Sequence, residues 1–502
     1  MKYLELYFRN VFTVDLRALA IMRIWIAGVI LTDLAIRATD LEAHYSNMGV
    51  LPLYVMHQYL WPTQFVSLHA LSGMWQVEAI LFIIAAGFAV CMLLGYKTRL
   101  STVVSWLLLV SLQNRNTLIT QGGDDLLRML LFWGMFLPWG RYYSYDATQQ
   151  KQLPTADTTY CSAATAAYIL QIFLIYFCTA LLKNSPEWRT EGTALYYALS
   201  LDQILMPVGK LIYPYPHLLH ALTITTFYVE LLLPFLLLLP FYNKFFRMVV
   251  VVVLLGFHIG ISLTLFVGLF YLINIASLAG LLPTPVMNWL DRRLLASFRR
   301  PYTGHFKRIF QQIRRPSLVS IRVHLRKPLI PQVHLLPQFR EGFVSVVLLY
   351  CIWWNLSGTN LKIKKMPDGS RWFGYLLRLD QHWGMFAPVV FKDDGWYILE
   401  GHTGNGKLID LNHEGEAANY TKPASVVSLF KNDRWRKYSE NYLFIQNAYM
   451  RPYYCHYLMR RWNEAHPQHQ VSKLDVIYMK EPSLPDYQVA IPSREVLCSC
   501  AK

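Results

Sequence analysis

The residue best placed to do chemistry in this chain is a lysine at the end of an apolar run. Lys183 closes Tyr176-Phe177-Cys178-Thr179-Ala180-Leu181-Leu182 and is followed by Asn184-Ser185-Pro186-Glu187-Trp188. Two readings fit it. A lysine at a helix C-terminus complements the helix dipole and can snorkel its ammonium to water. A lysine desolvated against Leu181 and Leu182 instead has its charged form disfavoured, and becomes a base near neutral pH. His258, in the middle of another apolar run, is either a packed imidazole or a proton-handling group. Glu230 stands in a third such run, ahead of Pro234 and Pro240, with no opposite charge near it in sequence. Arg23 lies deep in the first apolar segment, with Asp15, Arg17, Asp33 and Arg37 nearer its ends. Charges inside such segments are costly, so they mark either internal ion pairs or the wall of a site. Asn114, Arg115, Asn116, Gln121, Asp124, Asp125 and Arg128 form a polar connection between two apolar runs. There the two aspartates also suit a helix start, where the dipole favours carboxylates.

The elements that must hold these residues are set by composition. Of 502 residues, 54% are hydrophobic and only 16% charged, well below the roughly 25% charge of soluble chains. That excludes disorder and a soluble multidomain reading, and predicts an α-helical polytopic membrane protein. Apolar stretches near the ~20 residues a bilayer requires fall at about 14–36, 76–95, 99–118, 125–141, 160–183, 217–241, 246–266, 267–283 and 341–358. The expectation is eight or nine spans, because Gly256, Gly260 and Gly268 interrupt one long run that is either two short spans or one kinked span. No cleavable leader is expected, since the first stretch carries Asp15, Arg17, Arg23 and Asp33 without a small-residue cleavage site.

Net charge is +16, and its position matters more than its size. Between Asp291 and Lys327 stand eleven Lys or Arg and one acid. A basic block between apolar spans is a cytoplasmic loop drawn to anionic lipid, not a nucleic-acid surface. Lys97 and Arg99, Arg141 and Lys151, and Lys244 and Arg247 follow the second, fourth and sixth stretches. This alternation predicts a cytoplasmic N-terminus and an extracytoplasmic tail. The organisation expected is a transmembrane domain over 1–290, a basic cytoplasmic loop over 291–340, a last span over 341–358, and an outer α+β domain over 359–502. In that tail, 395–411 reads as a hairpin with a Gly-rich turn, 440–464 has helical spacing, and 474–479 reads as a strand. Cys91, Cys161, Cys178 and Cys351 lie in or beside apolar spans and are expected to be reduced, whereas Cys455, Cys498 and Cys500 fall where a disulfide can form. No metal-binding, phosphate-binding or serine-hydrolase motif occurs, so no metal is predicted.

Several segments together resemble the horizontally transferred transmembrane (HTTM) domain, the membrane unit shared by bacterial proteins and vitamin K-dependent γ-carboxylase. They are Leu16–Arg37, Gly95-Tyr96-Lys97-Thr98-Arg99-Leu100-Ser101, Tyr176-Phe177 with Lys183 and Trp188, and Phe257-His258 with Leu265-Phe266 and Gly268-Leu269-Phe270. The likeness covers roughly 10–290 and extends more weakly into the tail. It implies an amine that deprotonates vitamin K hydroquinone, whose reaction with oxygen yields a base strong enough to abstract a glutamate proton before carbon dioxide adds. Lys183 matches the catalytic lysine and His258 a histidine of the same pocket. Arg23, Asp124, Trp188 and Glu230 are the residues expected around the cofactor, vitamin K hydroquinone or another membrane quinol. The chain departs from the carboxylase near the fourth span, where Gly122-Gly123-Asp124 stands in place of an Asn-His pair.

The resemblance thus implies a carboxylase-like, lyase-type enzyme of the inner (cytoplasmic) membrane, or of the ER membrane if eukaryotic. Its partners would be the lipid bilayer and a peptide or protein substrate on the outer side. A non-enzymatic maturation or export partner is the alternative, and a small-molecule transporter a third for which no inverted repeat is visible.

Overall fold

Where water is excluded, a backbone can satisfy its own polar groups only within a helix or a closed barrel. The apolar runs of this chain form helices. The computed structural model describes residues 2–62, 64–149, 158–295 and 337–502. Its principal helices are α1 (Leu16–Ala38), α2 (Trp75–Leu94), α3 (Thr98–Arg115), α4 (Gly122–Gly134), α5 (Ala163–Leu182), α6 (Pro216–Leu232), α7 (Asn243–Thr264), α8 (Phe270–Ala279), α9 (Thr284–Leu290) and α10 (Pro337–Ser357). Five of these runs are long and apolar enough to cross a membrane: α1, α2, α5, α7, and α6 with the tight turn that continues it to Leu238. A sixth is added if the pair formed by α8 and the 284–293 segment, bent by 101°, is one broken span.

By length and apolarity alone the described residues thus give five or six spans, against the eight or nine expected, because several of the other runs are short or polar. α4 has only 13 residues. α3 buries Ser101, Thr102, Ser105, Ser111, Gln113, Asn114 and Arg115 inside the protein, and these polar residues lower its apolarity. The ambiguous seventh and eighth stretches resolve into two helices, α7, which runs unbroken through Gly256 and Gly260, and the shorter α8. Between them the chain breaks at Gly268, whose φ is +58°. A Cβ there would stand 2.3 Å from an oxygen of Asp433.

The bundle has two ends. At one, Val14–Asp15 pairs with Thr159–Tyr160, Arg247 donates to the carbonyls of Val11 and Thr13, and Arg17 bridges Asp15 and Asp291 at 2.8 Å each. Gly95, at φ +67°, lies there against Ser144 and Arg23. The other end carries the C-terminal sheet. Most of the basic segment lies outside the described residues, but both its borders, Asp291 and Pro337, belong to the first end.

The tail forms strands β1 (Gly395–Thr403), β2 (Leu408–Asp410), β3 (Glu416–Ala417), β4 (Val471–Lys480) and β5 (Ser493–Ala501) in the order β3-β2-β1-β4-β5. The neighbours are antiparallel. The expected β1–β2 hairpin and the β4 strand are present. The expected single helix is instead α11 (Asp433–Leu443) and α12 (Arg451–Ala465), separated by a tight turn. Cys455 on α12 is disulfide-bonded to Cys500 on β5, while Cys498 is free. One face of β1 and β4 packs Tyr397, Leu399, Leu474 and Tyr478 onto Tyr438, Tyr442 and Met450.

Candidate functional site

Helix α5 begins where Ser162 and Thr165 form a reciprocal capping box, and it ends at Lys183. Residues seven apart on a helix lie on one face, about 10 Å apart along the axis. Lys183 and Tyr176 are such a pair, and each faces a partner from another helix. Lys183 Nζ lies 2.5 Å from Glu230 Oε2 of α6, with both side chains about 95% buried. The same ammonium stands 4.0 Å from the centre of the Trp188 ring, whose indole N–H donates to the Phe386 carbonyl at 2.8 Å. Two turns earlier the Tyr176 hydroxyl is 2.7 Å from His258 Nε2 of α7 and 3.5 Å from Asn274 Oδ1 of α8. His258 Nδ1 is buried and has no hydrogen-bond partner among the described residues. Glu230, solitary in sequence, thus finds its counter-charge 47 residues away.

Four of the singled-out residues, Lys183, Glu230, Trp188 and His258, therefore fall along one helix face in two levels, although Lys183 and His258 share no hydrogen bond. Arg23 is elsewhere. It donates to the carbonyls of Trp139 at 2.9 Å and Tyr143 at 2.5 Å, at the opposite end of the bundle. Asp124 caps α4 through the Gln121 N–H at 2.9 Å and is otherwise taken up by cations. Its oxygens accept from Arg37 at 2.8 Å and from both Arg434 terminal nitrogens, at 2.6 and 3.0 Å. Asp33 accepts from the same two arginines at 2.8 and 2.7 Å. Two carboxylates and two guanidiniums, all buried, form a closed alternating ring that joins α1, α4 and α11. Sequence reading missed Arg434. The signal available was an uncompensated carboxylate, since Asp33 and Asp124 outnumber Arg37.

The tail also reaches the Lys183 level. Residues 378–392, which the sequence left without a role, run as a strap over the helix ends on the side of the C-terminal sheet. Arg128 donates to the carbonyls of Arg378 at 2.7 Å and Asp380 at 2.6 Å. Gln381 Oε1 accepts from Gln171 at 2.7 Å, and the Trp383 indole donates to Asn355 at 2.7 Å. Met385 Sδ would stand 3.5 Å from a Cβ on Gly122. Phe386 holds Trp188, and Lys392 pairs with the buried Glu187 at 2.6 Å. Beyond the strap, the Asp394 carboxyl accepts from the Asp202 N–H at 2.9 Å, and burial pushes its pKa up to about 7.

Apolar helices enclosing buried charge pairs, with a small sheet-bearing region gathered at one end, define a helical membrane protein. The family model described as "HTTM domain" matches residues 12–284, more than half of the chain. The chain belongs to the HTTM domain family, whose domain is found in vitamin K-dependent carboxylase-related proteins. No curated protein and no solved structure was found to match it.

Proposed function

We propose that this protein is a vitamin K-dependent γ-carboxylase-like membrane enzyme, in which oxidation of a membrane quinol by oxygen drives carboxylation, or related chemistry, of a substrate presented at the outer face. The observation that carries the reading is the buried Lys183–Glu230 pair lying against Trp188. As a salt bridge or as a neutral amine with a neutral acid, the pair has zero net charge. It can take up one further proton and hold it as an ammonium beside a protonated carboxyl. A low-dielectric surround keeps those two arrangements close in energy, because burial penalises separated charge. The proton would come from a quinol hydroxyl. The residues fit such a group in one respect: His258 Nδ1 leaves a buried polar atom free for a hydroxyl or carbonyl oxygen. Bound there, a quinol would supply the electrons for oxygen. The protein's part is to hold Tyr176, His258 and Asn274 in register on α5, α7 and α8, and to exclude water with the 378–392 strap.

Alternating basic loops support a cytoplasmic N-terminus, an extracytoplasmic C-terminal domain and residence in the inner membrane, or the ER if eukaryotic. Reporter fusions at Gly304 and Gly404 should report opposite sides.

Quinol oxidation measured against pH in wild type, Lys183→Ala and Lys183→Arg tests the assignment. Both substitutions should lower turnover by about 10²-fold or more, the scale of a general base. Arginine preserves the ion pair but cannot pass its proton to Glu230, so the neutral base that takes the quinol proton never forms. Wild-type turnover in Lys183→Arg would make Lys183 a structural cation.

One observation favours a second reading, a non-enzymatic maturation or export partner. Asp124 stands where the carboxylase carries an Asn-His pair, and both its oxygens are occupied by Arg37 and Arg434. Full maturation of a client peptide by Lys183→Arg would support that role.

A further inference from the structure

Away from the membrane helices, the sheet holds a cluster that the proposed reaction does not use. On strands β1 and β4 the register places Trp396 opposite Met479, Ile398 opposite Ile477, Glu400 opposite Asp475, and His402 opposite Lys473. The first two pairs share one sheet face with Val426 and are buried. The next two continue that face as a polar end. Like charges directly opposite each other across a strand pair are destabilising, yet Glu400 and Asp475 are only 3% and 5% exposed. His402 Nε2 lies 2.9 Å from Asp475 Oδ2 and 3.6 Å from Glu400 Oε1. One donor atom from each of the three residues falls within 4.8 Å of the other two. Glu400 Oε2 is buried with no hydrogen-bond partner among the described residues, and so is Asp475 Oδ1.

We propose that Glu400, His402 and Asp475 form a binding site for a divalent transition-metal ion of the zinc class. An imidazole beside two carboxylates selects against calcium and magnesium, which prefer all-oxygen ligands, and three protein ligands leave a fourth position for water or a substrate oxygen. Without an ion the two carboxylates are balanced by Lys473, 2.8 Å from Asp475, and Arg494, 3.2 Å from Glu400. Both cations are nearly half exposed and can swing into water when a metal enters. Asp410, opposite Glu400 on β2, takes no part, because its carboxylate is engaged by His413, Asn412 N–H and Leu399 N–H.

Calorimetric titration of the chelator-treated full chain in detergent with Zn²⁺, and the visible spectrum with Co²⁺, test the site. One ion per chain is expected. His402→Ala, at a partly exposed position, should weaken binding by more than about 10-fold, since even residues that merely support a metal ligand have effects of that size. Lys473→Met should tighten binding, because it removes the competing cation while leaving all three ligands. Circular dichroism of each variant confirms that it is folded. Absence of saturable binding in wild type, or equal affinity in His402→Ala, would overturn the proposal, as would weaker binding in a folded Lys473→Met.

Discussion

Two buried charge clusters in this protein look alike in sequence and differ in their partners. Around Asp33, Arg37, Asp124 and Arg434 each carboxylate accepts from both guanidiniums, and Arg37 also donates to Tyr45 at 2.8 Å. Around the Lys183 ammonium there are one carboxylate and one aromatic face. A ring with its hydrogen bonds filled acts as a rivet between the membrane helices and the C-terminal region. A lone pair in an apolar setting has only two charged groups to rearrange, so one added proton changes its state. Burial is common to both. The number of partners separates the fastener from the pair proposed to react.

The largest test breaks the fastener. Arg434→Ala leaves two buried carboxylates facing one arginine, and removing one partner from a buried ionic set costs about 3–5 kcal/mol. Chemical denaturation in detergent, followed by Trp fluorescence, should show a loss of that size, and limited proteolysis should show the C-terminal region released. An unchanged midpoint would place the hold elsewhere, in the strap.

Asp394 tests what happens when a buried carboxylate lacks a cation. Burial raises its pKa in the folded state to about 7, far above an unfolded aspartate. Between about pH 4 and 7 only the folded state keeps the proton, so wild-type stability falls as pH rises through that window and has lost the full contribution above it. At about 1.4 kcal/mol for each pH unit separating the unfolded and folded values, the difference reaches at most on the order of 4 kcal/mol. Asp394→Asn should flatten the pH 5 to pH 8 change in thermal midpoint. Equal slopes in the two proteins would contradict the prediction.

The pair proposed to react is sharpened by Glu230→Gln, which keeps the shape and removes the charge. Quinol turnover should fall about 10²-fold, within the range of general acid–base effects, while folding survives because the amide still accepts a hydrogen bond. If turnover persists, Lys183 works without its partner. The smallest effect is expected at Lys392→Ala, which removes a half-exposed cation from Glu187 and should cost no more than about 1 kcal/mol. Its use is kinetic. A faster exchange of amide hydrogens around Trp188 would show that the strap closes this end of the bundle.

Much of the architecture was legible because it follows from local rules. Apolar length predicted α1, α2, α5, α6 and α7, and alternation with a Gly-rich turn predicted the β1–β2 hairpin. The missing agreement is also instructive. α3 and α4 stand in the bundle without meeting the length and apolarity that mark a span, because protein surrounds the polar side chains of α3. β5 escaped notice because its register is imposed by pairing with β4 and by the disulfide at Cys500.

For the candidate site, residue type was readable and partnership was not. A lysine, a glutamate and a histidine in apolar runs are conspicuous by the cost of burying them, and that cost is a property of sequence. Which charge answers which is a matter of distance in three dimensions. Asp124 went to Arg434, 310 residues away, Glu230 went to Lys183, and Arg23 went to backbone carbonyls at the far end. The sequence by itself determined a helical membrane protein of this family with costly charges in its interior. Only the tertiary structure decided which of those charges answer one another and which meet backbone carbonyls instead, because electrostatic partnership in a low-dielectric interior depends on ångström separations that no spacing along the chain encodes.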